Sequence, residues 1–197
     1  MPNDAGIERE ELVRLVRLAV RLGSDDAAAL GNAAIAIAYV LRDLVFAQEQ
    51  MARALTLNPN LASAWANSGW INVWSGRPAE AVEHISRSIR LDPMSTGPGR
   101  HSALAHAYFF LDRHDDALQV SEGVLRSNPN FHPGHRVGAA SAAFAGKTDL
   151  AQELVARLRR IDPAMRVSCL QDYLGPYRLS EFLDKYKQGL RLAGLPE

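Results

Sequence analysis

Between Ile7 and Leu22 the apolar residues Leu12, Leu15, Val16, Ala19 and Leu22 alternate with Glu8, Glu10, Glu11, Arg14, Arg17 and Arg21. That spacing predicts an amphipathic helix with one apolar stripe. Further along, the same helical periodicity is cut into segments of nearly constant length. Asn58-Pro59, Asp92-Pro93, Asn128-Pro129 and Asp162-Pro163 close successive segments, and the four prolines lie 34, 36 and 34 residues apart. Proline cannot continue a helix, and a period of about 34 residues is that of a two-helix unit stacked in series. No stretch shows the alternation of a half-buried strand, so the expected class is all-α.

The clearest unit runs from Ala62 to Pro93. Counted from Ala62, the residues Trp65, Gly69, Ala81, Ile85, Ser88 and Pro93 occupy positions 4, 8, 20, 24, 27 and 32. Small residues at positions 8 and 20 let two antiparallel helices approach, and bulk at positions 4 and 24 fills the seam. Ser75-Gly76-Arg77-Pro78 supplies the turn between them: a glycine tolerates the left-handed end of one helix, and proline suits the first position of the next. On these residues the chain resembles the tetratricopeptide-repeat (TPR) family, which implies a right-handed superhelix of antiparallel helix pairs. The expected organisation is an incomplete repeat over 1–27, four units at 28–61, 62–97, 98–131 and 132–163, and a C-terminal cap over 164–197.

In the first unit Gly31, Ala47, Met51, Ala54 and Pro59 fit, while Ile35 is too large for its slot. His101, Ala105, Tyr108, Ala117, Val124 and Pro129 mark the third, and its two extra residues fall in the loop from Met94 to Gly99. Ala139, Ala151, Val155 and Pro163 mark the fourth, where Gly146 repeats the turn glycine. Asp25-Asp26, Asp115 and Thr148 read as helix N-caps. Leu12, Val16 and Ala19 fit the second helix of a unit without its first, which predicts that the chain begins part-way through a longer solenoid. After Pro163 the pattern predicts a helix over 164–174, stopped by Gly175-Pro176. Ser180 then caps a last helix, ending near Gly194, that seals the stack with Leu179, Phe182, Leu183, Tyr186 and Leu190; the closing Ala193 to Glu197 leaves no room for another unit.

Charge narrows the function classes. Twenty-two basic and 22 acidic residues cancel, and the one basic cluster, Arg157-Leu158-Arg159-Arg160, reads as a helix end, so a nucleic-acid surface is not expected. No apolar run is long enough to span a bilayer, and the N-terminus lacks the features of a signal peptide. The single cysteine, Cys169, cannot form an internal disulfide and fits a reducing compartment, so a cytoplasmic location is expected. His132 and His135, and His101 and His106, lack the spacing of a zinc helix; no nucleophile turn or phosphate loop is present, and no cofactor is implied. A metal-dependent hydrolase is the weakest of the readings, and the chain is not expected to be an enzyme.

In TPR arrays the first helix of each unit lines the concave side, and the resemblance carries that role to Asn32, Tyr39, Trp70, Trp74, His106, Phe109, Phe110, Arg136 and Phe144. The partner implied is a protein or peptide segment held in this groove, with a homodimer as the alternative. Some TPR domains grip a C-terminal carboxylate through basic and amide side chains. Here Asn67 matches one such slot, but Asn32, Ala36, Gly99 and Ala103 stand at the others, so that clamp is not expected. Leu57-Asn58-Pro59-Asn60, Ser68-Gly69-Trp70 and the tail from Phe182 to Glu197, ending in Gly-Leu-Pro-Glu, are similar to the C-terminal region of bacterial class III adenylate cyclases. That resemblance implies a regulatory or sensory module for a cyclase domain making cyclic AMP; similar tails also follow DNA-binding output domains.

Overall fold

A computed structural model describes residues 4–95 and 97–197, and the side chains from residue 10 onward apart from that of Asp172. The side chains of Ile7 and Glu8, and all of Thr96 in the 94–99 loop, lie outside that set. Helix α1 (Asp4–Leu22) precedes four helix hairpins. Their first helices are α2 (Ala27–Ala36), extended by a wider π-helical turn at Ile37–Leu41, then α4 (Ala62–Trp74), α6 (Pro98–Phe110) and α8 (His132–Phe144). Their second helices are α3 (Leu44–Leu57), α5 (Pro78–Leu91), α7 (His114–Ser127) and α9 (Thr148–Ile161). The short α10 (Leu170–Tyr173) and α11 (Ser180–Leu192) follow. Each first helix packs on its own second helix and on the first helices beside it, while α3, α5 and α7 also touch the first helix of the next unit. The result is a two-layered right-handed superhelix.

The small slots explain the close pairing. Ala47, Ala81, Ala117 and Ala151, one per unit, are completely buried in the seams. Gly69 sits so near Ile85 that a methyl group on it would lie 2.3 Å from that side chain. Asp26 caps α2 through the amides of Ala28 and Ala29, and Asp43, not foreseen, caps α3 through that of Phe46. Asp115, Thr148 and Ser180 are not caps. The residues before their helices are Arg113, Lys147 and Leu179, none of which makes a side-chain cap. For the first two the left-handed residues Asp112 and Gly146 end the hairpin turn, the next residue takes the cap position, and Asp115 and Thr148 already lie inside the helix as its second and first residues. Asp115 instead pairs with Lys147 at 2.6 Å.

The apolar stripe of α1 forms as expected and is partly covered: Val16 is buried, whereas Leu15 is 46% and Leu22 74% exposed. One expectation needs correcting, in the C-terminal segment. Residues 164–169 are not helical; the Val167 amide donates to the Pro196 carbonyl at 2.8 Å, and Met165, Val167 and Leu170 are drawn into the core instead. The last helix, α11, packs on α8 of the last repeat, but the segment does more than cover that end. It first runs back across the concave face to the first unit, where Arg42 donates to the Leu174 carbonyl at 2.7 Å and Tyr39 to that of Tyr173 at 3.3 Å. It then returns along the units in order. Arg178 donates its amide to Trp74 O, Leu179 covers Gly76, Phe182 stacks on Phe110 and Gly189 abuts Ala140 and Phe144. Residues 164–195 thus form a strap that fills much of the groove.

Candidate binding cavity

The strap leaves a hollow of about 490 Å³ on the concave wall. All four first helices contribute to it. Ile35, Ala36, Tyr39 and Val40 come from the first unit, Asn67, Trp70 and Trp74 from α4, His106 from α6, and Pro133 and Arg136 from α8; Tyr173, Leu174, Gly175 and Tyr177 of the strap close it. Ile35, oversized for its repeat slot, faces this space, and the π-helical turn carries Tyr39 and Val40 to its rim.

Trp70 and Trp74 are four residues apart on one helical turn, so their rings share a face and stack at 5.4 Å with 29° between planes. Tyr39 adds a ring 5.9 Å from Trp74, and His106 one 5.0 Å from Trp70. Only a glycine fits at position 175, because a Cβ there would lie 2.1 Å from the Trp74 ring. These walls are mostly hydrocarbon and aromatic surface, the lining typical of a ligand pocket.

Most polar groups around the hollow are engaged within the chain. Asn67 Nδ2 donates to Gly31 O at 3.3 Å and Trp70 Nε1 to Gly99 O at 3.0 Å. His106 Nδ1 donates to Ser102 O at 2.7 Å, which leaves it as the Nδ1–H tautomer. Burial pushes the His106 pKa down to about 4, outweighing the bond to Ser102, so the ring is neutral at pH 7. Burial also pushes the Tyr186 hydroxyl up to about 12, against the pull of nearby Arg136, and raises that of Tyr177. Arg136 is only 5% exposed and lies beside the Tyr186 hydroxyl, yet its Nε has no hydrogen-bond partner.

Of the nine groove residues expected from the repeat slots, Tyr39, Trp70, Trp74, His106 and Arg136 converge here. Phe109, Phe110 and Phe144 do not: they lie beneath α11, against Tyr186, Phe182 and Gly189, and Lys185 of α11 reaches Asp112 at 2.6 Å over the Phe109 ring. Asn32 is exposed and lines nothing here. Slot arithmetic could not find the strap residues. The available signal was Tyr173 and Tyr177 bracketing Gly175-Pro176 in a stretch too aromatic for an ordinary loop. Among the described residues no cluster of three or more His, Cys, Asp or Glu side chains could hold a metal, and no helix is long and apolar enough to cross a membrane.

Solved structures share this architecture. YrrB, described as a TPR protein with an unusual peptide-binding site, is 20% identical with a TM-score of 0.60, covering 90% of this chain and 95% of its own. PilW, a type IV pilus biogenesis factor, is 18% identical with a TM-score of 0.72 over 96% of this chain and 83% of its own. The fold is the TPR superhelix. MamA, 15% identical with a TM-score of 0.62 over 87% and 91% of the two chains, has the same TPR arrangement. No family model matches the sequence. Among curated relatives, cellulose synthase operon protein C of Komagataeibacter xylinus is 33% identical over 79 residues, 40% of this chain. Anaphase-promoting complex subunit 7 of Dictyostelium discoideum is 27% identical over 108 residues, 55% of this chain. The matches span 6% and 18% of those two proteins.

Proposed function

We propose that this chain is a non-catalytic interaction module of the TPR kind, with the cavity over Trp70 and Trp74 as the site where an apolar group is received and its rim as the surface a protein partner meets. The observation that carries this reading is the pair of stacked indoles, faced by Tyr39 and lining a hollow that the strap roofs but does not fill, whereas it covers the rest of the aromatic wall. The peptide-binding site ascribed to YrrB supports it by analogy of fold. Selection of a random-peptide library on the whole chain tests it. Enriched peptides should lose at least tenfold in affinity on Trp70→Ala/Trp74→Ala, and also on Tyr39→Ala, which leaves the core closed. Peptides that bind all forms equally would exclude the cavity.

The tail similar to bacterial class III adenylate cyclases supports a finer proposal: the module regulates a cyclase, or another output domain, in the cytoplasm. Cyclic AMP synthesis by the full reading frame, with and without this region, tests it. A reading frame that encodes no cyclase overturns the cyclase form.

A second reading has its own observation. Leu15 and Leu22 of α1 are 46% and 74% exposed along one apolar stripe, a surface suited to a second copy of α1 and hence to a homodimer that pairs two output domains. Light scattering at high concentration should then report twice the chain mass, reduced to the monomer by Leu15→Glu/Leu22→Glu. A strictly monomeric chain rules this out.

A further inference from the structure

Arg136 sets the cavity apart from an ordinary apolar hollow. A guanidinium keeps its charge at any physiological pH, and a charge held out of water without a counter-charge is costly. Arg136 is 95% out of solvent by the exposure given above, lines the hollow, and makes no ion pair with any described carboxylate. Its near neighbours are His106, Tyr177 and Tyr186, all uncharged at neutral pH. The hollow therefore presents a positive charge with no counter-charge supplied by the described residues.

We propose that the cavity binds a small apolar monocarboxylate, its carboxylate paired with Arg136 and its body laid against Trp70 and Trp74. His106 connects the two ends, being close to Arg136 and 5.0 Å from the Trp70 ring. The size fits, since small-molecule sites run from ~300 to ~1,000 Å³ and this one is about 490 Å³. The polar inventory favours a free small molecule over a peptide. Trp70 and Tyr39 already spend their single donors on carbonyls of the chain and Asn67 one of its two, so an extended peptide would bring an N–H and a C=O per residue into a wall with little beyond Asn67 to pair them. One charge on an otherwise apolar body matches what the wall offers.

The inference rests on the cavity being the receiving site, and its test separates the two. Calorimetric titration of the whole chain with decanoate, 4-phenylbutyrate and 2-naphthylacetate is compared with the alcohols of the same skeletons. At least one acid should bind tenfold or more tightly than its alcohol, and Arg136→Met should abolish that preference while leaving alcohol binding in place. If the variant does not fold, the acid-to-alcohol ratio in the unaltered chain decides alone. No binding by any of the acids, equal binding of acid and alcohol, or a preference that survives Arg136→Met would each overturn the proposal. Cavity-dependent peptides without acid binding would leave the module reading intact and remove only this one.

Discussion

Gly69 and Gly123 both lie within helices, yet a methyl group would have opposite effects on them. At Gly69 the added carbon would stand 2.3 Å from Ile85 in a filled seam, and overpacking of that kind costs about 1–3 kcal/mol, more than the ~1 kcal/mol alanine gains in helix propensity. At Gly123 the nearest atom is the mobile end of Arg126 at 3.6 Å. Urea denaturation should therefore show Gly69→Ala destabilised and Gly123→Ala stabilised by roughly 0.5–1 kcal/mol. His106 makes stability depend on pH. Its folded pKa, about 4, lies below the ordinary value of 6.5, so above pH 6.5 both states are neutral and the full stability is present. As pH falls from 6.5 to 4 the unfolded chain takes up a proton that the folded chain refuses, and up to roughly 3 kcal/mol is lost. His84, His101, His114 and His135 are shifted the same way by burial and add to the slope. His106→Gln should flatten the loss, measured as the melting temperature across that window.

The turns between paired helices repeat a left-handed residue at Arg42, Gly76, Asp112 and Gly146, with φ of 60°, 77°, 60° and 75°. Glycine takes this conformation freely, whereas another residue holds it at a cost of about 1 kcal/mol. The two non-glycine positions are those whose side chains hold the strap: Arg42 donates to Leu174 O, and Asp112 receives Lys185. Their substitution should differ. Arg42→Gly relieves strain but removes a charged hydrogen bond of about 1.5–3 kcal/mol, so thermal melts should show a net loss near 1 kcal/mol. Asp112 is largely exposed, and an exposed pair is worth about 0–1 kcal/mol, so Asp112→Gly should be neutral or slightly stabilising.

A strap laid along all four units couples parts of the molecule that a linear stack would keep independent. Removal of residues 164–197 should expose Phe109, Phe110 and Phe144 and strip cover from Trp74. Hydrogen exchange should then quicken in α4 and α6 as well as in α8; acceleration confined to α8 and α9 would mean an end cap instead. The helices, their pairing and the small slots were legible in the residues because each depends on neighbours within about 34 positions and recurs four times, so that one exception, such as Ile35, stands out. The same slots named Tyr39, Trp70, Trp74, His106 and Arg136 as inward-facing. Nothing periodic marks the strap. Tyr39 and Tyr173 meet across 134 residues and Arg42 and Leu174 across 132, and a single long-range contact leaves no repeat to read. An aromatic residue on the inner wall also has the same spacing whether its own chain or a ligand covers it. Folding covered Phe109, Phe110 and Phe144 and left the indoles in a hollow with a guanidinium that has no counter-charge, because α11 lays Phe182 and Gly189 on the phenylalanines while the strap touches Trp74 only through Gly175, which has no side chain to fill the space.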